Sequence, residues 1–143
     1  MTSDTKTQKE TFVLPSQVPM LARNLKDRGF DFFVYLTAVD YGDTLELLYH
    51  VRSLERGEDY TWKVRLNADN TKVPSIADIY KGAEWHEREA YDLFGIEFEG
   101  HPDLRRILLS EDWEGHPLRK SYAMDTPKLP YRPPREKYEA WKK

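Results

Sequence analysis

Hydrophobic side chains recur at three- and four-residue spacing near the start of the chain, and this pattern predicts an amphipathic helix between Pro15 and Gly29. The repeating residues are Val18, Leu21, Ala22 and Leu25. Pro19 is tolerated because it falls in the first turn, where a backbone N–H has no helical partner. Gly29 is expected to end the helix.

The next three segments have the pattern of β-strands. Residues 32–39 are β-branched and aromatic on both faces, and a turn at residues 40–43 leads into residues 45–51, where apolar and polar side chains alternate. Alternation returns over residues 60–66, after a polar loop. Short connections between successive strands favour a mainly antiparallel sheet.

Two helices are predicted after the strands, where they would cover the apolar face of the sheet. Pro74 and Ser75, with Asp78 three residues on, resemble the capping signal of a short helix. A second helix is predicted over residues 83–94, beyond Gly82. The fold class is therefore expected to be α+β, with helices on one face of an antiparallel sheet.

The chain of 143 residues is long enough for one domain with a real core. We predict a flexible N-terminus over residues 1–13, an α+β domain over residues 14–113 and an extended docking tail over residues 114–143. Five of the nine prolines lie from Pro117 onward, and each favours an extended chain, with a short helix at residues 135–141. The tail is also basic, whereas the whole chain has a net charge of −3, and this contrast favours a partner.

Composition and motifs exclude several kinds of site. The chain has no cysteine, so it cannot supply the thiolates that normally hold iron–sulfur clusters or a Cys-ligated zinc. It has no glycine-rich dinucleotide or phosphate loop and no apolar run near the roughly 20 residues of a membrane-spanning helix. The polar N-terminus makes secretion unexpected. His86 and Glu87 do not begin a zincin motif, because the required second histidine is Ala90. We predict no catalytic, cofactor-binding or metal-binding residues.

The helix predicted over residues 83–94 places a carboxylate, Glu87, in the middle of its apolar face. A buried carboxylate needs a partner, and pairing with Arg105 or Arg106 is at least as plausible as a catalytic use. The opposite face is predicted to carry a ladder of charges four residues apart, formed by Glu84, Arg88 and Asp92. Trp85 lies among these charges, which suggests that another molecule contacts this face.

Two Gly-His-Pro sequences place His101 and His116 between a permissive and a restrictive residue. Each ring is expected to be aimed by its backbone, and we interpret both histidines as docking elements. Asp103 is predicted to cap a short helix that carries Arg105 and Arg106, whose guanidinium groups could bind carboxylates of a neighbouring protein. A solvated face is the plainer alternative for these arginines.

Nucleic-acid binding is a minor alternative function. The C-terminal sequence YRPPREKYEAWKK mixes arginine with aromatic residues, a composition that can stack on bases and meet phosphates. The remainder of the chain is acidic and would repel a polyanion. No RNA- or DNA-binding module is legible in the strands.

The run EREAYDLFGIEFEGHPDLRRILL, which is followed by EGHPLRK, closely resembles the signature of the C subunit of proton-pumping NADH:quinone oxidoreductase, the respiratory complex I family. The resemblance is dense over residues 84–122. The predicted elements from residue 14 onward are compatible with the α/β domain of that family. The chain is short for the family, with little sequence before the first helix.

The resemblance implies a hydrophilic, structural subunit of the peripheral arm that assembles the complex. It would lie against the quinone-site (D-like) and terminal-cluster (B-like) subunits, with its C-terminal segment wrapped on a neighbour. FMN, iron–sulfur clusters and quinone would be held by partner subunits and no cofactor by this chain. The chain would sit on the cytoplasmic side of the energy-coupling membrane, attached through the complex. Related subunits occur in membrane-bound hydrogenases and in complexes linked to coenzyme F420, ferredoxin or plastoquinone, so the electron donor is open.

The resemblance also assigns roles to individual positions, which would serve the interface and the local fold rather than catalysis. The motif residues are Glu87, Arg88, Glu89, Asp92, Gly95, Gly100, His101, Pro102, Arg105, Arg106, Gly115, His116, Pro117, Arg119 and Lys120.

Overall fold

A computed structural model of the chain describes residues 11–122. Its main sheet has the strand order β1-β4-β3-β2. The four strands are β1 (Thr11–Val13), β2 (Phe32–Asp40), β3 (Thr44–Ser53) and β4 (Glu58–Asn67). The pairs β2–β3 and β3–β4 are antiparallel, and β1 lies parallel to β4 at the edge. The predicted α+β class and mainly antiparallel sheet are confirmed.

The core lies on one face of this sheet because β3 and β4 alternate between buried apolar residues and more exposed ones. Tyr49 and Trp62 lie opposite each other, are fully buried and stack with ring centroids 4.8 Å apart. In β2 the register shifts between Phe33 and Tyr35, so the strand carries an irregularity of the β-bulge kind. Phe33 and Leu36 can therefore both face the core, which explains why this segment is apolar without strict alternation.

Two α-helices cover the buried face of the sheet. Helix α1 (Val18–Asp27) follows a 3-10 turn (Pro15–Gln17), and its repeating residues Val18, Ala22 and Leu25 are fully buried, as predicted. Helix α2 (Ala83–Phe94) packs against β2 and has the predicted bounds. Gly95 caps its C-terminus with a positive φ of 75°, a conformation that favours glycine.

The short helix predicted near residue 75 is wrong. Lys72–Pro74 instead form strand β5, which pairs in parallel with β6 (Glu97–Glu99) in a small second sheet. The Ser75 hydroxyl donates to the carboxylate of Glu87 on α2 and accepts the N–H of Ala77 at 3.1 Å, but residues 75–82 form no helix. Hydrogen-bonded turns follow instead, in which the N–H of Tyr80 donates to the carbonyl of Ile76 and the N–H of Ala83 donates to the carbonyl of Tyr80.

The described domain differs from its predicted boundaries at both ends. Thr11–Val13 belong to the sheet, although the sequence predicts that residues 1–13 are flexible. Residues 114–122 pack back on the domain, where the N–H of Leu118 donates to the carbonyl of Leu93. Residues 1–10 and 123–143 lie outside the described residues, and so do the predicted helix at 135–141 and the sequence on which the nucleic-acid alternative rests.

Candidate partner-binding site

Residues 100–122 follow the last strand and, as the structure describes them, contain neither helix nor strand. We call them the 100–122 segment. The short helix predicted after Asp103 is therefore wrong, and the Asp103 carboxylate pairs instead with Arg105 at 2.9 Å. An irregular segment must place its backbone polar groups somewhere other than in a ladder. Here many of these backbone groups bond to charged side chains of the motif residues named in the sequence analysis.

Asp92, on α2, anchors the centre of this segment. Its side chain is fully buried, and Oδ2 accepts the backbone N–H groups of Ile107, Leu108 and Leu109 at 3.2, 2.8 and 2.9 Å. Its Oδ1 accepts a bond from Arg106 Nη1 at 2.8 Å. Burial alone would raise the pKa of Asp92, but the backbone and guanidinium donors outweigh burial and hold this pKa below its ordinary value.

Two arginines complete the attachment. Arg106 also donates from Nη2 to the carbonyl of Gly115 at 2.9 Å. Arg88, on α2 and buried, donates from Nε and Nη2 to the carbonyls of Arg105 and Arg106, each at 3.2 Å. The predicted ladder of ion pairs among Glu84, Arg88 and Asp92 on the helix surface is wrong. Arg88 and Asp92 lie under the 100–122 segment and bind its backbone.

The ring of His116 packs against the end of α2. Its Nδ1 lies 2.9 Å from the carbonyl oxygen of Asp92, and because a carbonyl only accepts, Nδ1 carries the proton. The ring covers Gly95 so closely that a Cβ there would lie 2.6 Å from His116 Cδ2. Gly95 is therefore required both by its backbone conformation and by the imidazole above it.

Gly95→Ala is expected to lower the free energy of unfolding by about 2 kcal/mol, about half from the left-handed backbone and half from displacing His116. Gly57→Ala is the matched control, because Gly57 also has a positive φ, 67°, but a Cβ added there would have no other atom within 4 Å. Urea denaturation of both variants separates the two contributions. Equal losses in the two variants would show that the contact with His116 has no energetic weight.

Arg119 and Asp40 hold the end of the segment against the sheet. Arg119 donates to the carbonyls of Phe94 and Ala68 at 3.2 and 3.1 Å, and its Nε lies 3.5 Å from Asp40 Oδ2. The N–H of Lys120 donates to the same Asp40 oxygen at 2.8 Å. Burial opposes ionisation of Asp40, but two backbone N–H donors and the nearby cations leave its pKa lowered. Sequence reasoning treats Asp40 only as a turn residue, since its partners lie about 80 residues away.

Glu87 occupies a second buried cluster on the other side of α2. It is fully buried, and its carboxylate accepts bonds from Ser75 Oγ at 2.5 Å and from the N–H of Ile76 at 2.8 Å. Burial raises the pKa of Glu87 to about 7. The predicted pairing with Arg105 or Arg106 is wrong, because Arg106 reaches Asp92 and Arg105 pairs with Asp103.

His101 lies beside Glu87 and faces into the domain. Its Nδ1 accepts the N–H of Asp103 at 3.0 Å, so the ring proton is on Nε2, which donates to the carbonyl of Glu84 at 3.1 Å. The same Nε2 is 3.8 Å from Glu87 Oε2, and the His101 side chain is fully buried. In the described structure both motif histidines therefore contact their own chain.

The remaining motif positions lie at the surface or at turns. Those exposed to solvent are Glu89, Gly100, Pro102, Arg105, Gly115 and Lys120, and Pro117 is partly buried. Trp85 and Leu108 are large apolar residues near the Asp92 attachment, and they remain 57% and 62% exposed.

Within residues 11–122 no set of three His, Asp or Glu side chains is arranged to hold a metal ion. Over the same residues, no helix is long and apolar enough to span a membrane.

Several proteins similar in sequence are described as C or C/D subunits of NADH-quinone oxidoreductase. An NADH-quinone oxidoreductase C subunit from Moorella thermoacetica is 43% identical over 118 residues, which cover 80% of each chain. Another, from Chloroherpeton thalassium, is 50% identical over 95 residues, 65% of this chain but only 40% of that protein. A C/D subunit from Acinetobacter baylyi is 56% identical over 86 residues, 59% of this chain and 14% of that longer protein.

Two solved structures share the fold. A chain of an archaeal respiratory membrane complex, the membrane-bound sulfane sulfur reductase, superimposes with a TM-score of 0.71 at 31% identity, over 79% of this chain and 70% of that one. A trypsin-resistant fragment of Nqo5 gives a TM-score of 0.61 at 28% identity, over 65% of this chain and 80% of the fragment. Residues 11–128 match the family described as respiratory-chain NADH dehydrogenase, 30 Kd subunit. The chain therefore belongs to this family of complex I proteins, whose members are also named as C subunits.

Proposed function

We propose that this chain is a non-catalytic structural and assembly subunit in the peripheral arm of a membrane-bound NADH:quinone oxidoreductase that couples electron transfer to proton translocation. The observation that supports this proposal is how the charged side chains of the motif are bonded. Asp92, Arg88, Arg106 and Arg119 bond to backbone groups of their own chain, so they build a surface and are not directed at a substrate.

Cofactors are assigned to other subunits in this proposal. An iron–sulfur cluster needs thiolate ligands, and this chain has no cysteine. The residues present therefore do not fit such a cluster, and no step of electron transfer is routed through them. FMN, the iron–sulfur clusters and quinone would be bound by partner subunits on the cytoplasmic side of the membrane.

The proposed neighbours are a quinone-site (D-like) protein and a terminal-cluster (B-like) protein. Relatives such as the one from Acinetobacter baylyi, whose name joins C and D in one polypeptide, support the first of these neighbours. Fusion keeps two proteins at high effective concentration, which is useful when they must assemble.

A second candidate is the equivalent subunit of a related complex with another electron donor or acceptor, including membrane-bound hydrogenases and complexes linked to coenzyme F420 or ferredoxin. The likeness to a chain of the membrane-bound sulfane sulfur reductase favours keeping this candidate. The two candidates share the assembly role and differ in the partner that holds the redox centres.

Co-expression of the full chain with its D-like and B-like neighbours is expected to yield a stable complex on size-exclusion chromatography. The chain alone is the control and should show neither flavin absorbance nor NADH oxidation. Comparing NADH with reduced ferredoxin as the electron donor to the intact complex, purified together with its FMN-binding subunits, distinguishes the two candidates. A prosthetic group or turnover in the solitary chain would contradict the proposal.

A further inference from the structure

Leu108 is exposed but lies on a turn that is anchored from beneath. Its side chain is 62% exposed, whereas its own N–H and those of Ile107 and Leu109 all bond to the buried carboxylate of Asp92. Surface loops are usually the more mobile parts of a domain. Here one fully buried acceptor binds three successive N–H groups, so the backbone that carries Leu108 at the surface is held in place.

Trp85 is joined to the same turn through Arg88. The Arg88 guanidinium lies 4.8 Å from the centre of the Trp85 ring, and the same group donates to the carbonyls of Arg105 and Arg106. The indole is 57% exposed. Helix α2 and the turn at residues 105–109 therefore present an aromatic and an aliphatic side chain from one fixed frame. We call Trp85 and Leu108 the anchor surface.

A fixed apolar surface favours binding because less conformational freedom is lost when a partner covers it. Tryptophan is among the residues that most often dominate the binding energy of protein interfaces. Beside the anchor surface, Arg105 has a side chain that is 60% exposed and pairs with its neighbour Asp103. An exposed pair of this kind contributes little, so its guanidinium can turn to a carboxylate on a partner.

We propose that the anchor surface binds the D-like subunit, which would offer an apolar pocket with an acidic rim facing Arg105. This inference rests on the function proposed above and adds the surface that makes the contact. The D-like partner is chosen because relatives carry C and D in one polypeptide, which holds these two parts together. The rim of the partner's pocket is proposed to be acidic because it would face the positively charged side chain of Arg105.

The test measures the affinity of the purified full chain for the co-purified D-like and B-like pair. Leu108→Ala is expected to raise Kd about tenfold or more, as truncation of an interface anchor does. Leu54→Ala is the matched control, since Leu54 is 63% exposed but lies in the turn between β3 and β4. Melting curves of both variants should match the unmodified chain, because neither side chain is buried.

A second measurement does not depend on a loss of binding. A photo-crosslinking amino acid at position 108 should label the D-like subunit, and one at position 54 should not. If the unmodified chain binds but Leu108→Ala and Leu54→Ala bind equally, or if position 108 labels only the B-like subunit, the anchor surface is overturned. If the unmodified chain does not bind at all, the failure lies with the proposed assembly function.

Discussion

Asp92→Ala is expected to lower the free energy of unfolding by about 3 to 5 kcal/mol, the usual effect of removing one partner from a buried charged network. The substitution leaves the N–H groups of Ile107, Leu108 and Leu109 without their acceptor. It also leaves Arg106, whose side chain is only 12% exposed, without its carboxylate. Urea denaturation of the full chain measures the loss.

Asp78→Ala is the control for removing an aspartate as such. Asp78 lies 3.7 Å from Arg23, and both side chains are about 70% exposed, so the change should be within about 1 kcal/mol. Hydrogen exchange gives a local readout. Amides 107–109 should exchange faster in Asp92→Ala, while those of β3 stay protected at low denaturant. A loss similar to that of Asp78→Ala would mean that the 100–122 segment does not depend on this carboxylate.

Long periodic elements are predictable because their signal is local. The helix that buries Val18, Ala22 and Leu25 has hydrophobic residues at a helical spacing in its own sequence. Strands β3 and β4 likewise show alternation in their own sequences, whatever packs beside them. Strands β1, β5 and β6 are three residues each and exist only through parallel pairing with distant segments, so no local pattern indicates them. Ser75 is a residue type that often caps helices, but here its hydroxyl donates to Glu87, twelve residues further along the chain.

The motif itself is predictable as a place where charges need partners, but the pairing is not. A helical wheel puts Arg88 and Asp92 on the side of α2 that faces away from the sheet. Both side chains would be exposed to solvent if nothing covered that side, but in the structure both are buried. The 100–122 segment covers it, and an irregular segment has no period from which its position could be read. Consequently the sequence offers Arg106 as a partner for Glu87, although in the structure this arginine pairs with Asp92.

The buried carboxyl of Glu87 has neighbours that act on its charge in opposite directions. Burial is the largest influence and raises the pKa of Glu87 to about 7, helped by the charges of Asp78 and Glu84. Bonds from Ser75 Oγ and the N–H of Ile76 act against this increase.

Two further groups face Glu87 from neighbouring elements. His101 Nε2 lies 3.8 Å from the carboxylate. The hydroxyl of Tyr49, on β3, is buried without a hydrogen-bond partner among the described residues, and burial together with the charge of Glu87 raises the pKa of Tyr49 well above its ordinary value.

Because the pKa of Glu87 is higher in the folded chain than its ordinary 4.5, protonation stabilises the fold. The contribution is fully present below about pH 4.5 and is lost as the pH rises through about 7, by of order 3 kcal/mol in total. Glu87→Gln removes this titration. We therefore expect the stability of the unmodified chain to fall relative to Glu87→Gln between about pH 5 and pH 8, measured by urea denaturation at each pH.

Glu89→Gln provides the matched control, since Glu89 lies on the same helix but is exposed, and its stability should follow that of the unmodified chain at every pH. Asp40 and Asp92 have lowered pKa values, so they stay ionised throughout this range and add no slope. Parallel curves for the unmodified chain and Glu87→Gln would show that Glu87 is ionised in the fold even at about pH 5. In that case the hydrogen bonds from Ser75 and Ile76 would outweigh the cost of burying its charge.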